Sequence, residues 1–325
     1  MKLVSSMRTS LQNGSPHLPL SPSPRRSAGR PLSPSPRLLL LLLLILAICP
    51  VFTPAQKNKR NGSHTAASHA REVLSESDRE LVENAVSVVC LERARDARGS
   101  MPIDDMQKRP SMPLQAPEVV SGVARAQRLL PTARDLVVAS LRVLSTSYDV
   151  AVAQSRHARL QRAIARIQSV KRIKPDIDAR DNASVYMKTP HTITFGTIFL
   201  AGLKSDEGMV SVLAHELVHI ADGDADSLSP LFRAVGLRAS SLTGLRVRDQ
   251  RAEELTCDLV GALATQSFIE SSPNYDPLPR RLARSVEHNC VEEDDSDEEH
   301  LSPRNTLRAL LTLDANLRRG LVFGR

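Results

Sequence analysis

Tryptophan is absent and aromatic side chains make up only 3% of this 325-residue chain. A core of ordinary size must therefore be assembled from Leu, Val, Ile and Ala, a mixture that favours helix. Cysteine is scarce as well. The four cysteines show no CxxC spacing, so no metal is assigned to them. Acidic residues are missing altogether from positions 1 to 55, where Lys2, Arg8, Arg25, Arg26, Arg30 and Arg37 lie. Setting those six aside leaves 37 basic against 36 acidic side chains, so six of the seven net positive charges belong to the leader and the body is almost neutral. That removes the electrostatic footprint a phosphate backbone requires and excludes a nucleic-acid partner. Nor is there an apolar run of the roughly 20 residues that spans a bilayer.

The longest apolar run, LLLLLLLILAIC over residues 38–49, follows Arg37 and precedes Pro50 and the small residues Thr53, Pro54 and Ala55. This is the layout of a secretory signal peptide, with cleavage expected after Ala55. An uncleaved anchor through residues 38–52 is the alternative, so the protein is expected to be exported, periplasmic or secreted, or held at a membrane by that segment. The Pro-, Ser- and Arg-rich residues 10–37 fit an extended leader, a transit sequence or a disordered stretch. Without the leader Cys90, Cys257 and Cys290 remain, which predicts one disulfide and one buried thiol. The spacing does not say which two pair.

Residues 56–72 are polar and read as a linker. A helical region follows over 73–174. Ser77 and Glu80 form a capping box for a helix over about 78–96. Pro102, Pro110, Pro113 and Pro117 interrupt it, and amphipathic helices are predicted over 118–129, 132–147 and 148–171, their Arg-rich faces solvated. From 175 the period changes. Val185, Met187, Ile193 and Phe195 alternate around Thr189-Pro190, predicting two antiparallel strands with the one around His191–Phe195 at the sheet edge. A short helix over Thr197–Leu203 follows, then one capped by Ser205 and running from Asp206 to about Ile220.

That last helix contains VLAHELVHI. His215 and His219 are four residues apart, so both imidazoles leave one face and can hold a single ion. Glu216 beside them can take a proton from the metal-bound water and pass it to a leaving amine, which makes this the HExxH pattern of zinc hydrolases. A catalytic site needs a third protein ligand. Asp222, Asp224 and Asp226 lie close downstream, but the Gly-containing turn expected before a short-spacer ligand is out of register. Glu254 in RAEELTCDLVGALA is the stronger candidate, with Asp258 one turn on to hold a ligand His through its second nitrogen. Glu253, adjacent to Glu254, is expected to point elsewhere into solvent. The acidic run Glu292–Glu299 is read as a solvated loop.

From Asn182-Ala183 through VYMKTPHTITFGTIFLAGL, SDEGMVSVLAHELVH and the Glu254-to-Asp258 spacing, residues 175–315 resemble the HtpX and CAAX prenyl protease group of gluzincins, metallopeptidase family forty-eight. The resemblance implies one Zn²⁺ per chain on His215, His219 and Glu254, with Glu216 as catalytic base and Asp258 behind a ligand. It departs in SPRNTLRALL, where Ser302 stands in place of a His; Arg308, His300, His288 and Tyr275 are the candidates to stabilise a transition state instead. The membrane spans of HtpX are also absent.

The expected fold is α+β and mostly helical, with a helical N-terminal part and, over 175–325, a zincin-like metallopeptidase core containing a small antiparallel sheet. The expected activity is zinc-dependent endoproteolysis of polypeptide substrates among exported or envelope proteins. The alternatives are a non-catalytic binding or assembly factor on the same fold and a metal-dependent amidase acting on a cell-wall or other non-peptide amide. Oligomeric state is not legible.

Overall fold

Apolar residues at intervals of three and four turn most of this chain into helix. In the computed structural model the first is α1, Glu76–Arg95, close to the predicted span. Its cap lies slightly earlier than expected, because the Ser75 hydroxyl accepts the Asp78 N–H at 3.1 Å. The described residues are 74–95, 105–106, 108–148, 154–186, 191–223, 228–272, 278–284 and 298–323. All belong to one compact unit. The leader, the linker, most of the acidic run, Asp224, Asp226, Tyr275 and His288 lie outside the described residues. No helix among the described residues is long and apolar enough to cross a membrane.

Helix α2, Pro117–Ser147, runs straight through Pro131, where a break between two helices was predicted. Proline removes one intrahelical bond, but Leu129, Leu130, Ala133 and Val137 are all buried around it. That apolar stripe continues across the proline and holds the helix in register. Helix α3, Gln154–Ser169, follows.

The sheet has three strands and mixed pairing: β1 (Arg172–Asp176), β2 (Ala183–Val185) and β3 (Thr192–Gly196), in the order β1-β3-β2. The predicted antiparallel pair is β2 with β3, Val185 opposite Ile193 and Ala183 opposite Phe195. Strand β1 was not anticipated. It pairs parallel to β3, Ile173 opposite Ile193, and Pro175 is tolerated because β1 is an edge strand. The strand after His191 is therefore the centre of the sheet, correcting the edge position expected for it. Its five residues are all buried, which a strand with a neighbour on each side requires.

Helices α4 (Thr197–Gly202), α5 (Asp206–Ala221), α6 (Ser229–Thr243), α7 (Gln250–Ser271), α8 (Leu278–Ala283), α9 (Pro303–Leu313) and α10 (Ala315–Phe323) complete the fold. Helix α5 is central, packed on α2, α3 and α7, with Met209, Leu213 and Leu217 fully buried. As predicted, the Ser205 side chain caps it, accepting the Gly208 N–H at 3.0 Å.

Cations from three other helices hold the two ends of α5. Arg128 Nη2 donates to both carboxylate oxygens of Asp206 at 2.9 Å. Arg281 meets Glu207 at 2.7 Å, both side chains 6% exposed, and Arg166 donates to the Ala221 carbonyl at 2.9 Å. Acids in the first turn and a cation on the last carbonyl both match the helix dipole. Arginines of α2 and α3 expected to face solvent thus serve as clamps.

Glu207→Ala should lower stability by about 3–5 kcal/mol, because it leaves the buried Arg281 guanidinium without its counter-charge. Urea unfolding at neutral pH measures this; a loss below about 1 kcal/mol would show the pair to be dispensable.

Candidate metal centre

His215 and His219 project from one face of α5, ring centroids 4.9 Å apart. Helix α7 packs against that face, and a small residue sets how closely. A Cβ on Gly261 would meet the Ser211 carbonyl oxygen of α5 at 3.2 Å. Ser211 is one turn before His215, and Gly261 lies three residues after Asp258, so the closest backbone approach sits beside the polar cluster.

Glu254 of α7 reaches both histidines. The two Nε2 atoms are 3.1 Å apart, and Glu254 Oε2 lies 3.3 Å from that of His215 and 3.6 Å from that of His219. Tetrahedral zinc, with bonds of about 2.0–2.1 Å, sets its ligand atoms roughly 3.3–3.5 Å apart. The point equidistant from the three atoms is about 1.9 Å from each, so these three donors would fit a zinc ion.

The outer nitrogens explain why the inner ones face each other. His215 Nδ1 is 2.9 Å from Asp258 Oδ1, and His219 Nδ1 is 3.2 Å from Glu253 Oε1. An ionised carboxylate only accepts, so each Nδ1 carries the proton and each neutral ring turns a lone pair inwards. Two lone pairs 3.1 Å apart beside a third acceptor need a cation or protons between them. Asp258 stands where the sequence placed it. Glu253 does not: it was expected in solvent, and it pairs with the second histidine.

Protons fill that need when no metal does. Burial pulls the His215 imidazole down, but hydrogen bonds to Asp258 and Glu254 outweigh it and raise its pKa well above the ordinary 6.5. At His219 burial is likewise outweighed, by Cys257, Glu253 and Glu254. Burial pushes Glu254 up, yet the two histidines hold it far below the ordinary carboxylate range. Burial raises Glu216, partly opposed by the same two rings. Glu216 is 8% exposed, and its carboxylate makes no hydrogen bond to a described residue.

Of the four named candidates for transition-state stabilisation, His300 and Arg308 are among the described residues, and the structure brings one of them to the cluster. His300 Nε2 lies 3.8 Å from Glu254 Oε2. Arg308 is committed elsewhere, its Nε 2.6 Å from Glu83 Oε1 of α1 and its Nη1 donating to Asn305 at 2.7 Å. Asp222, the described member of the short-spacer alternative, accepts the Leu228 N–H at 2.6 Å.

Cys257 was assigned no metal, and the fold brings it close. Its sulfur is 3.9 Å from His219 Nδ1, and with the two histidines it forms a second set of donors lying within 4.8 Å of one another. The Glu254 set fits a cation better. Its three atoms stand close to tetrahedral spacing, whereas Cys257 faces the nitrogen that Glu253 occupies, and burial raises the pKa of its thiol. The signal was present in sequence: Cys257 follows Glu253 by four residues and shares its helix face. Cys257 is a free buried thiol and Cys90 is disulfide-bonded, the division expected for the cysteines.

No protein-family model, curated protein or solved structure matches this chain. The family resemblance thus rests on the motifs quoted above alone.

Linkage gives the cluster a pH signature. A histidine pKa raised on folding stabilises the metal-free protein below the ordinary 6.5, and that contribution is lost as pH rises through the raised value. Zinc needs neutral rings, so its binding releases protons and tightens as pH rises. The melting temperature with zinc minus that with a chelator should therefore grow from pH 6 to pH 9. A difference that is flat or shrinks over this range would contradict the assignment.

Proposed function

We propose that this chain is a zinc-dependent endopeptidase with a gluzincin-like core, in which His215, His219 and Glu254 hold the metal and Glu216 is the general base. The observation that carries this is the triangle of two Nε2 atoms and one carboxylate oxygen with sides of 3.1, 3.3 and 3.6 Å, drawn from two helices whose ligands are 35 residues apart in sequence. Bound there, zinc would supply Lewis acidity, polarising a scissile carbonyl and lowering the pKa of a water to about 7.

The remaining work falls to side chains. Glu216 takes the proton of the attacking water and returns it to the departing amine nitrogen; its burial raises its basicity towards that task. Asp258 fixes the His215 ring through Nδ1. His300, whose Nε2 lies 3.8 Å from Glu254 Oε2, would donate a hydrogen bond to the oxygen on which charge develops, the role the resemblance gives to a histidine missing at Ser302. An extended peptide would pair with the outer edge of β2, which packs against α5. Backbone pairing asks little of side chains, which suits unfolded or misassembled polypeptides as substrates. A disulfide at Cys90 accords with an oxidising compartment and hence with exported substrates.

Zinc-loaded protein should cleave unfolded polypeptides such as reduced casein. Glu216→Gln should retain one zinc per chain and lose about 10²–10⁴-fold in kcat/KM, the typical worth of a general base. His215→Ala should lose both metal and activity. Metal retained with no proteolysis of any unfolded substrate would turn the assignment towards a binding factor, and hydrolysis confined to cell-wall amides towards an amidase.

A further inference from the structure

The pair between Glu253 and His219 has no part in the scheme above, and it lies in contact with a proposed ligand. We infer that Glu253 is a positioning residue of the metal centre, fixing the ring and tautomer of His219 so that Nε2 presents its lone pair to the ion. This rests on the zinc reading of the site.

Three observations carry it. Glu253 Oε1 is 3.2 Å from His219 Nδ1, and that pair is its sole side-chain hydrogen bond among the described residues. The Glu253 side chain is 26% exposed and that of His219 20%, so the contact is neither fully desolvated nor freely hydrated and water does not simply replace it. The alternative partner at Nδ1 is the Cys257 sulfur at 3.9 Å, a weak acceptor. Without Glu253 the neutral ring is free to carry its proton on Nε2, which leaves the nitrogen facing the ion with no lone pair to give. Asp258 performs the same service for His215. Each imidazole then has its own outer carboxylate, and α7 supplies both as well as the Glu254 ligand.

The test uses the full chain stripped of metal, with zinc affinity read by competition against a chromophoric chelator and histidine tautomers by ¹⁵N spectroscopy. Glu253→Ala should weaken zinc binding by about 10–100-fold and raise the population of His219 protonated at Nε2. Glu253→Gln, whose amide oxygen accepts the same hydrogen bond, should restore both to near the wild-type values; a residue that merely packs would show no such split. Circular dichroism verifies folding, and the isosteric Gln variant keeps the test decisive if the Ala variant unfolds. Zinc affinity unchanged in Glu253→Ala, or Glu253→Gln no better than Glu253→Ala, would overturn the inference and leave the zinc site intact. Wild-type protein that takes up no zinc would overturn the reading of the site itself, and this inference with it.

Discussion

Everything at the site depends on how closely α7 crosses α5. Two imidazoles on one helix face define a line; a third donor at tetrahedral spacing must come from another element, and a Glu side chain reaches only if the two backbones come near. Gly261 permits this, since even a methyl group there would stand 3.2 Å from the Ser211 carbonyl oxygen. The arginine clamps serve the same end. Arg128, Arg281 and Arg166 hold both ends of α5 from three directions, so sliding the histidines along the crossing would break one buried ion pair, Arg281 with Glu207, and two further hydrogen-bonded contacts.

Charge explains why such a cluster can fold before any metal arrives. Glu216, Glu253, Glu254 and Asp258 would repel one another around a partly buried pair of neutral rings. The raised pKa values of the two rings and the depressed pKa of Glu254 show the carboxylates favouring protons on the histidines in the metal-free protein. A dication replaces the two protons and leaves the carboxylates in the same charge balance.

What was legible in the sequence is what local rules dictate. The spacing of His215 and His219, the cap at Ser205, the hairpin of β2 with β3 and the helix carrying Glu254 all follow from periodicity and end signals within a few residues. Strand β1 was hidden because a parallel partner is separated in sequence and Pro175 argues against a strand. The continuity of α2 was hidden because buried packing overrides proline only in three dimensions. Glu253 was misplaced for a subtler reason. Neighbours on a helix diverge by about 100°, which suggests that only one of Glu253 and Glu254 can face the site. The two histidines stand a turn apart along a crossing helix, however, so they can be reached from different angles.

The state of Glu216 bears on whether this site does chemistry or only binds. Burying a carboxylate without a hydrogen bond is unfavourable, and a metal site kept for architecture has no need of it: His215, His219 and Glu254 complete the donor set alone. Glu216 could be a buried apolar residue, like Leu217 and Val218 beside it, at a gain in stability. Instead it holds a raised pKa next to two rings that would flank a cation. A carboxylate of raised basicity beside two imidazoles is the group that the proposed hydrolysis would need as its base.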